Sequence, residues 1–408
     1  MSRQDIYYWK CDRPAAFHGT QTRGAADAKI EQQLREVLQR HFVTQVVELC
    51  TGIGQGNHLT WNAKVAGQPM FMRVENGPEK DGHLAIESAL LSRVRESGVV
   101  TPRVYACDAT RTRVPFAWQA LERISSPDLN HWFKQGRLDI PRIAFSIGSA
   151  VAHWQQITLP NFGTLKWSAP KWSAQSSVRH ERPFAPESLA ELSAYNLEQS
   201  APGEAPRSKS PVRNERPLAP ESYPELSGYH PTYADYFHLR LDQHLAFLVT
   251  HSFLTHAQSA GILAEIENHR ALLHLDTGCF VHKDLALWNI LGSETEITAF
   301  IDFDDAISGD PMDDLSLLAC FHDDTFLRHA FEGYQSIRPL PENHLRRFWL
   351  HLLRNMIVKS VIRVGAGYFD RDDAFFLISS GTSGKSLRDF TLKKLFHALH
   401  CLRSEAAL

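Results

Sequence analysis

The chain has 408 residues, 43% of them hydrophobic, enough for two or three packed units around a real core. Its 43 Lys plus Arg against 46 Asp plus Glu leave a net charge of −3, which excludes the strongly basic surface that would grip a nucleic-acid backbone. The six cysteines, at 11, 50, 107, 279, 320 and 401, contain no zinc-knuckle or redox-dithiol spacing, and neither a membrane-spanning apolar run nor a secretion-signal core is present, so a cytoplasmic chain with no nucleic-acid or membrane partner is expected.

After a tail containing Trp and Tyr, residues 29–42 (KIEQQLREVLQRHF) place Ile30, Leu34, Val37, Leu38 and Phe42 at helical spacing. Three strand-like runs follow, VVELC (46–50), HLTWNAKV (58–65) and PMFMRVE (69–75), punctuated by GIGQGN and AGQ as antiparallel hairpins should be. A second helix fits 83–97, and strands fit 104–108 and 116–122; beyond them the pattern turns almost wholly helical. A small β-rich unit therefore precedes a larger α-rich one.

Between Leu165 and Tyr233 the chain is rich in Pro, Ser and Glu and poor in apolar clusters that could offset the entropy of ordering. VRHERPFAPESLAELSAY from Val178 recurs as VRNERPLAPESYPELSGY from Val212. Two Pro-rich copies do not build a stacked array, so the segment reads as a local duplication in a flexible surface insertion, with a substrate lid or docking arm as the other reading. Helices are then expected at 233–248, 260–273 and 345–364, and near Leu392 to Leu399, their apolar stripes facing a core.

The chemistry is concentrated in FVHKDLALWNIL (280–291) and ITAFIDFDD (297–305), two strand-like runs joined by the turn GSETE. Such a hairpin can bring Asp284, Asn289 and Asp302 together. Phosphoryl transfer needs in-line positioning, cations against the phosphates, and an acceptor for the hydroxyl proton. The oxygen ligands Asn289 and Asp302 suit Mg²⁺, Asp284 suits the proton acceptor, and His282 suits a brace for the loop.

These residues resemble the aminoglycoside phosphotransferase and choline kinase-like family, whose loop reads His-Gly-Asp, four residues, Asn; here His282, Lys283, Asp284 and Asn289 stand in that pattern. Ile301-Asp302-Phe303-Asp304, then Gly309-Asp310-Pro311 with Asp314-Leu315, continue it. Each motif alone is weak, but their order and spacing are specific. The resemblance implies an α+β, two-lobed protein kinase-like fold with a small antiparallel N-lobe (26–119, nucleotide-binding) and a larger helical C-lobe (120–408). An N-terminal extension at 1–25 and the insertion at 165–231 complete that division.

The resemblance also implies an ATP or GTP phosphate donor, Mg²⁺, and a small hydroxyl substrate. In the N-lobe, Gly52, Gly54 and Gly56 lie where backbone amides could approach phosphates. Arg73 takes the place most relatives give to Lys, and a forked guanidinium will meet phosphate differently. Glu87 would orient it, and the backbone near Ala120 to Glu122 would hold a purine base. Lys283, in place of glycine, either assists the phosphate or points to solvent. Eight aspartates from Asp302 to Asp324, with no Lys or Arg among them, lean towards a cationic acceptor such as an aminoglycoside or amino alcohol. A nucleotide-binding pseudokinase, with the insertion as its docking arm, is the alternative; protein phosphorylation is disfavoured because no activation segment follows Asp302.

Three further patterns carry less. SSGTSGKS (379–386) lacks the first glycine of a P-loop. Asp276-Thr277-Gly278 has no second copy to share a proton, and His251, His256 and His269 do not share a helical face.

Overall fold

The computed structural model describes residues 2–12, 25–52, 58–77, 80–168, 225–371 and 384–404. Gly54, Gly56, the first repeat copy, all but the last five residues of the second and most of the P-loop-like stretch lie outside the described residues. In the N-lobe, five strands form one antiparallel sheet: β1 (Val47–Thr51), β2 (Leu59–Val65), β3 (Gln68–Glu75), β4 (Val104–Asp108) and β5 (Ala117–Glu122), in the order β1-β2-β3-β5-β4. Two helices complete it, α2 (Ala25–His41) and α3 (His83–Glu96); α1 is a four-residue turn, Trp9–Asp12, in the N-terminal tail. The apolar stripe Ile30, Leu34, Val37, Leu38 and Phe42 packs on Trp61, Met70, Met72 and Trp118. Each such buried side chain contributes about 1.5–3 kcal/mol. Leu90, Leu91 and Val94 of α3 instead join the C-lobe core, so this helix can transmit position between the lobes.

The C-lobe begins with α4 (Leu129–Lys134) and α5 (Ile140–Trp154), followed by the short β6 (Thr158–Leu159) and β7 (Phe162–Trp167). β8 (Leu226–His230) pairs antiparallel with β7. The insertion therefore leaves and re-enters through a paired hairpin, and the expected irregular segment loses its two ends to sheet. The expected helix at 233–248 is two helices, α6 (Tyr233–Phe237) and α7 (Leu241–Thr250), broken at Arg240, whose φ of 58° is left-handed. Next come α8 (His256–Asn268), β9 (Gly278–Val281), the hairpin β10 (Ile290–Gly292) with β11 (Ile297–Phe300), and β12 (Ile307–Gly309). The second sheet has the order β6-β9-β12-β7-β8.

The closing helices are α9 (Met312–Ala319), α10 (Asp324–Gln335), α11 (His344–Gly365) and α12 (Gly384–Ser404). α5 and α10 approach backbone to backbone: a Cβ on Gly148 would fall 1.8 Å from the Ala330 carbonyl oxygen, and one on Gly333 1.9 Å from that of Phe145. That contact fixes the end of α5, where Trp154 lies against His282 in the loop after β9. Among the described residues no helix is long and apolar enough to cross a membrane, and all six cysteines are free thiols.

Candidate active site

The loop after β9 is fastened before any chemistry is placed on it. Asp314, in the first turn of α9, accepts the backbone N–H of His282 (3.0 Å) and of Lys283 (3.1 Å) and the indole N–H of Trp154 (3.1 Å). Burial, with Asp313 beside it, pushes its carboxyl up to about 7 against those three donors. The His282 Nε2–H donates to the Ile301 carbonyl (3.0 Å), and Nδ1 accepts from the Asp284 N–H (3.3 Å). Burial holds the ring below its ordinary pKa, so His282 is a neutral brace between the two arms of the hairpin.

Asp284 emerges from this brace, buried. Asn289 donates its side-chain amide to the Asp284 carbonyl (2.8 Å) and carboxylate (3.0 Å), which leaves the amide oxygen as the atom a cation could take. Asp302, just past β11, has a left-handed φ of 65°, a conformation Asp tolerates better than most residues. Its carboxylate receives Arg73 Nη2 at 3.2 Å across the cleft. Arg73 also binds Glu87, and both are buried. Burial disfavours charge on Arg73, but Glu87 and then Asp302 outweigh it and raise the guanidinium's pKa. Burial likewise pushes the Glu87 carboxyl up to about 7, opposed by Arg73. The structure thus brings Arg73, Glu87, Asp284, Asn289 and Asp302 to one cleft.

Other expected residues are placed differently. Lys283, at a left-handed φ of 66°, neither points to solvent nor lies free at the cleft. Its buried ammonium bonds the Asp313 carboxylate (2.7 Å), the Asn355 amide oxygen (3.0 Å) and the Tyr7 hydroxyl (3.2 Å), because Asp313 would otherwise be a buried unpaired charge. Asp304 is occupied by Arg3 (3.4 Å), His58 (3.4 Å) and His83 (3.1 Å), and is a lobe junction. Ala120 lies inside the sheet, opposite Met72 and Ala106, and the Glu122 N–H donates to the Arg103 carbonyl (2.8 Å). The expected base-binding hinge is therefore absorbed by the sheet, which the chain leaves at Arg123. Gly52 donates its N–H to the Thr60 carbonyl (3.0 Å), and a Cβ there would meet Thr60 Oγ1 at 2.8 Å.

Sequence reasoning missed the N-terminal tail. Tyr8 donates its hydroxyl to Asp284 Oδ1, and Lys10 binds Oδ2. The same Lys10 ammonium lies 3.7 Å from both Asp302 and Asp305, and Lys359 lies 3.4 Å from Asp284. Burial opposes ionisation of Asp284, yet Lys10 and then Lys359 hold its carboxyl well below the usual range. Asp305 goes the other way: burial, and the charges of Asp284, Asp304 and Asp302, push it up to about 8 despite Lys10. The density of YYWK was the sole local signal, since these contacts span 274 to 276 residues of chain. The Lys10 ammonium is thus nested among carboxylate oxygens of Asp284, Asp302 and Asp305, the donor type that a hard divalent ion takes.

Among the described residues the group with metal-ligand proximity is Cys11, Asp12 and His244, which does not include His251, His256 or His269. Asp276 and Thr277 form a turn into β9.

The profile of the family described as "Phosphotransferase enzyme family" matches residues 50–347. Among curated proteins none matches. Similar solved structures include a thermostable mutant of aminoglycoside phosphotransferase APH(4)-Ia in ternary complex with AMP-PNP and hygromycin B, at 14% identity over 92% of this chain and 100% of that one, with a TM-score of 0.52. A candidate aminoglycoside phosphotransferase from Ralstonia eutropha matches at 14% identity over 91% and 98%, TM-score 0.52. A candidate fructosamine-3-kinase from Haemophilus somnus matches at 13% over 90% and 97%, TM-score 0.51. At such identities these likenesses bear on the fold, the two-lobed arrangement expected from the sequence.

Proposed function

Because the chain belongs to the phosphotransferase enzyme family, we propose that it moves the terminal phosphate of ATP or GTP onto a hydroxyl of a small molecule, with Asp284 as proton acceptor. The observation that carries this reading is the meeting of Asp284, Asn289, Asp302 and Arg73 in one cleft. Arg73, oriented by Glu87, would steer the phosphates, and Gly52 would lie at the start of the covering loop. Asn289 and Asp302 would hold Mg²⁺, which supplies positive charge against the phosphates when bound. Asp284 needs only to receive the hydroxyl proton as it leaves, so its low pKa is no obstacle in a loose transition state. The similar structure with AMP-PNP and hygromycin B is compatible with such a donor and acceptor pair.

The acceptor is proposed as a small hydroxyl compound. The charge argument for a cationic one weakens in three dimensions. Asp304, Asp310 and Asp313 are paired with cations or histidines, and Asp314 with N–H donors. Asp284 itself already has the Lys359 ammonium 3.4 Å away.

The test is a screen of labelled ATP and GTP against amines, amino alcohols, sugars and antibiotics, with and without Mg²⁺. Magnesium-dependent transfer to one acceptor class is expected. Nucleotide binding with no turnover on any acceptor would favour the scaffold alternative instead.

A further inference from the structure

The seat an acceptor hydroxyl would take is filled by the chain's own Tyr8. The segment that carries it is clamped along its length. Thr164 donates to the Arg3 carbonyl (2.9 Å), and the Arg3 guanidinium pairs with Asp81 (2.8 Å) and Asp304 (3.4 Å). The Tyr7 ring stacks on Tyr236 at 4.8 Å and 16°, and the Arg354 guanidinium lies 3.6 Å from its centre. Tyr236 donates its hydroxyl to the Tyr7 carbonyl (2.5 Å), and the Tyr7 N–H donates to Asp12 (2.8 Å), itself held by His244 (2.7 Å) and Arg240 (3.1 Å).

The Tyr8 phenol is buried; its hydroxyl donates to Asp284 Oδ1 and accepts from Lys359 at 3.2 Å. This is what a reacting hydroxyl requires: its oxygen within hydrogen-bond reach of the base and its motion already restricted. Lys10, two residues on, differs in kind. Its ammonium occupies the cation position among Asp284, Asp302 and Asp305, but its side chain keeps 31% exposure and is long and unbranched, so it can swing out while Tyr8 stays.

Building on the phosphotransferase reading above, we propose that Tyr8 is an internal phosphate acceptor of this enzyme. A bound nucleoside triphosphate supplies the group. The bond between the γ-phosphorus and the β,γ-bridging oxygen breaks, and a bond from that phosphorus to Tyr8 Oη forms. The phenolic proton passes to Asp284 Oδ1, and the nucleoside diphosphate leaves with the bridging electron pair. Lys10 sets the pace, because its ammonium must yield to the metal and nucleotide first.

The experiment incubates the full chain with Mg²⁺ and γ-labelled ATP, without external acceptor, and maps the label by mass spectrometry. The expected result is one phosphate on Tyr8, formed at a first-order rate that does not change with protein concentration. Y8F loses the label, Y7F keeps it, and K10A gains it several-fold faster. Calorimetry with a non-hydrolysable triphosphate on the same preparation separates the two claims. Binding with no phosphate on Tyr8, or with a rate proportional to protein concentration, overturns the Tyr8 assignment alone. Neither binding nor label overturns the phosphotransferase reading with it.

Discussion

Arg73 and Asp302, 229 residues apart in sequence, meet at 3.2 Å across the cleft, while the same guanidinium holds Glu87 on α3. One planar, forked cation therefore ties β3, its orienting helix and the carboxylate proposed to hold the metal. Lysine has a single ammonium and cannot keep both bonds in the same geometry. Arg73→Lys should weaken triphosphate binding about tenfold, the loss of about one charge-assisted hydrogen bond, read by calorimetry. Arg73→Met strips Glu87 of its cation. With the carboxyl already pushed up to about 7 by burial, its folded-state pKa then rises further. Protonation favours the folded state in that case, so this variant should be less stable at pH 8 than at pH 6.

Lys283 and Asp313 form a buried pair joined by Asn355. Removing one partner of such a pair costs about 3–5 kcal/mol because a charge is left behind in the interior. Lys283→Gly suits the left-handed backbone yet still deserts Asp313, so it should lower the unfolding midpoint in urea. The double variant Lys283→Gly/Asp313→Asn should lose less than the two single losses added together. Additive losses would mean that the pair is not coupled.

His322 stacks on Phe326 at 4.0 Å and meets the edge of Phe133 at 5.3 Å. Burial, helped by Lys394, lowers its pKa from 6.5 to about 3. The neutral ring contributes stability at and above pH 6.5, and that stability is lost as pH falls from 6.5 towards 3. His322→Phe keeps the ring contacts without the proton. Thermal melts between pH 7 and 4 should show wild type losing several degrees more than the variant.

The Lys10 ammonium competes with any divalent ion for Asp302 and Asp305. Lys10→Ala should tighten the apparent Mg²⁺ affinity several-fold in the presence of a non-hydrolysable triphosphate. An unchanged magnesium titration would show that the ion binds elsewhere.

What the sequence disclosed and what it hid follow from the range of the interactions concerned. Strand alternation and helical stripes are local, so all five N-lobe strands and α2, α3 and α11 fall close to their expected spans. The motif from His282 to Asp302 is also local, compressed into one loop and one hairpin. The break at Arg240 escaped because one left-handed residue interrupts an apolar pattern that is otherwise continuous. Lys283 was misplaced because its partners, Asp313 and Asn355, lie on α9 and α11. The hinge was misplaced because Ala120 and Glu122 look like any strand end until the pairing of β5 is known. The tail was opaque for the same reason: Tyr8 and Lys10 acquire meaning only when 274 to 276 residues of chain fold back onto them.

The central claim is that Asp284 takes the acceptor proton while its neighbours hold the nucleotide. Asp284→Asn keeps the shape and removes the base, so the decisive measurement is triphosphate binding and phosphate-transfer rate on that one variant. The account predicts binding retained in the presence of Mg²⁺ and transfer reduced by about 10²–10⁴-fold, the usual contribution of a positioned proton acceptor. Transfer at the wild-type rate by Asp284→Asn would contradict it.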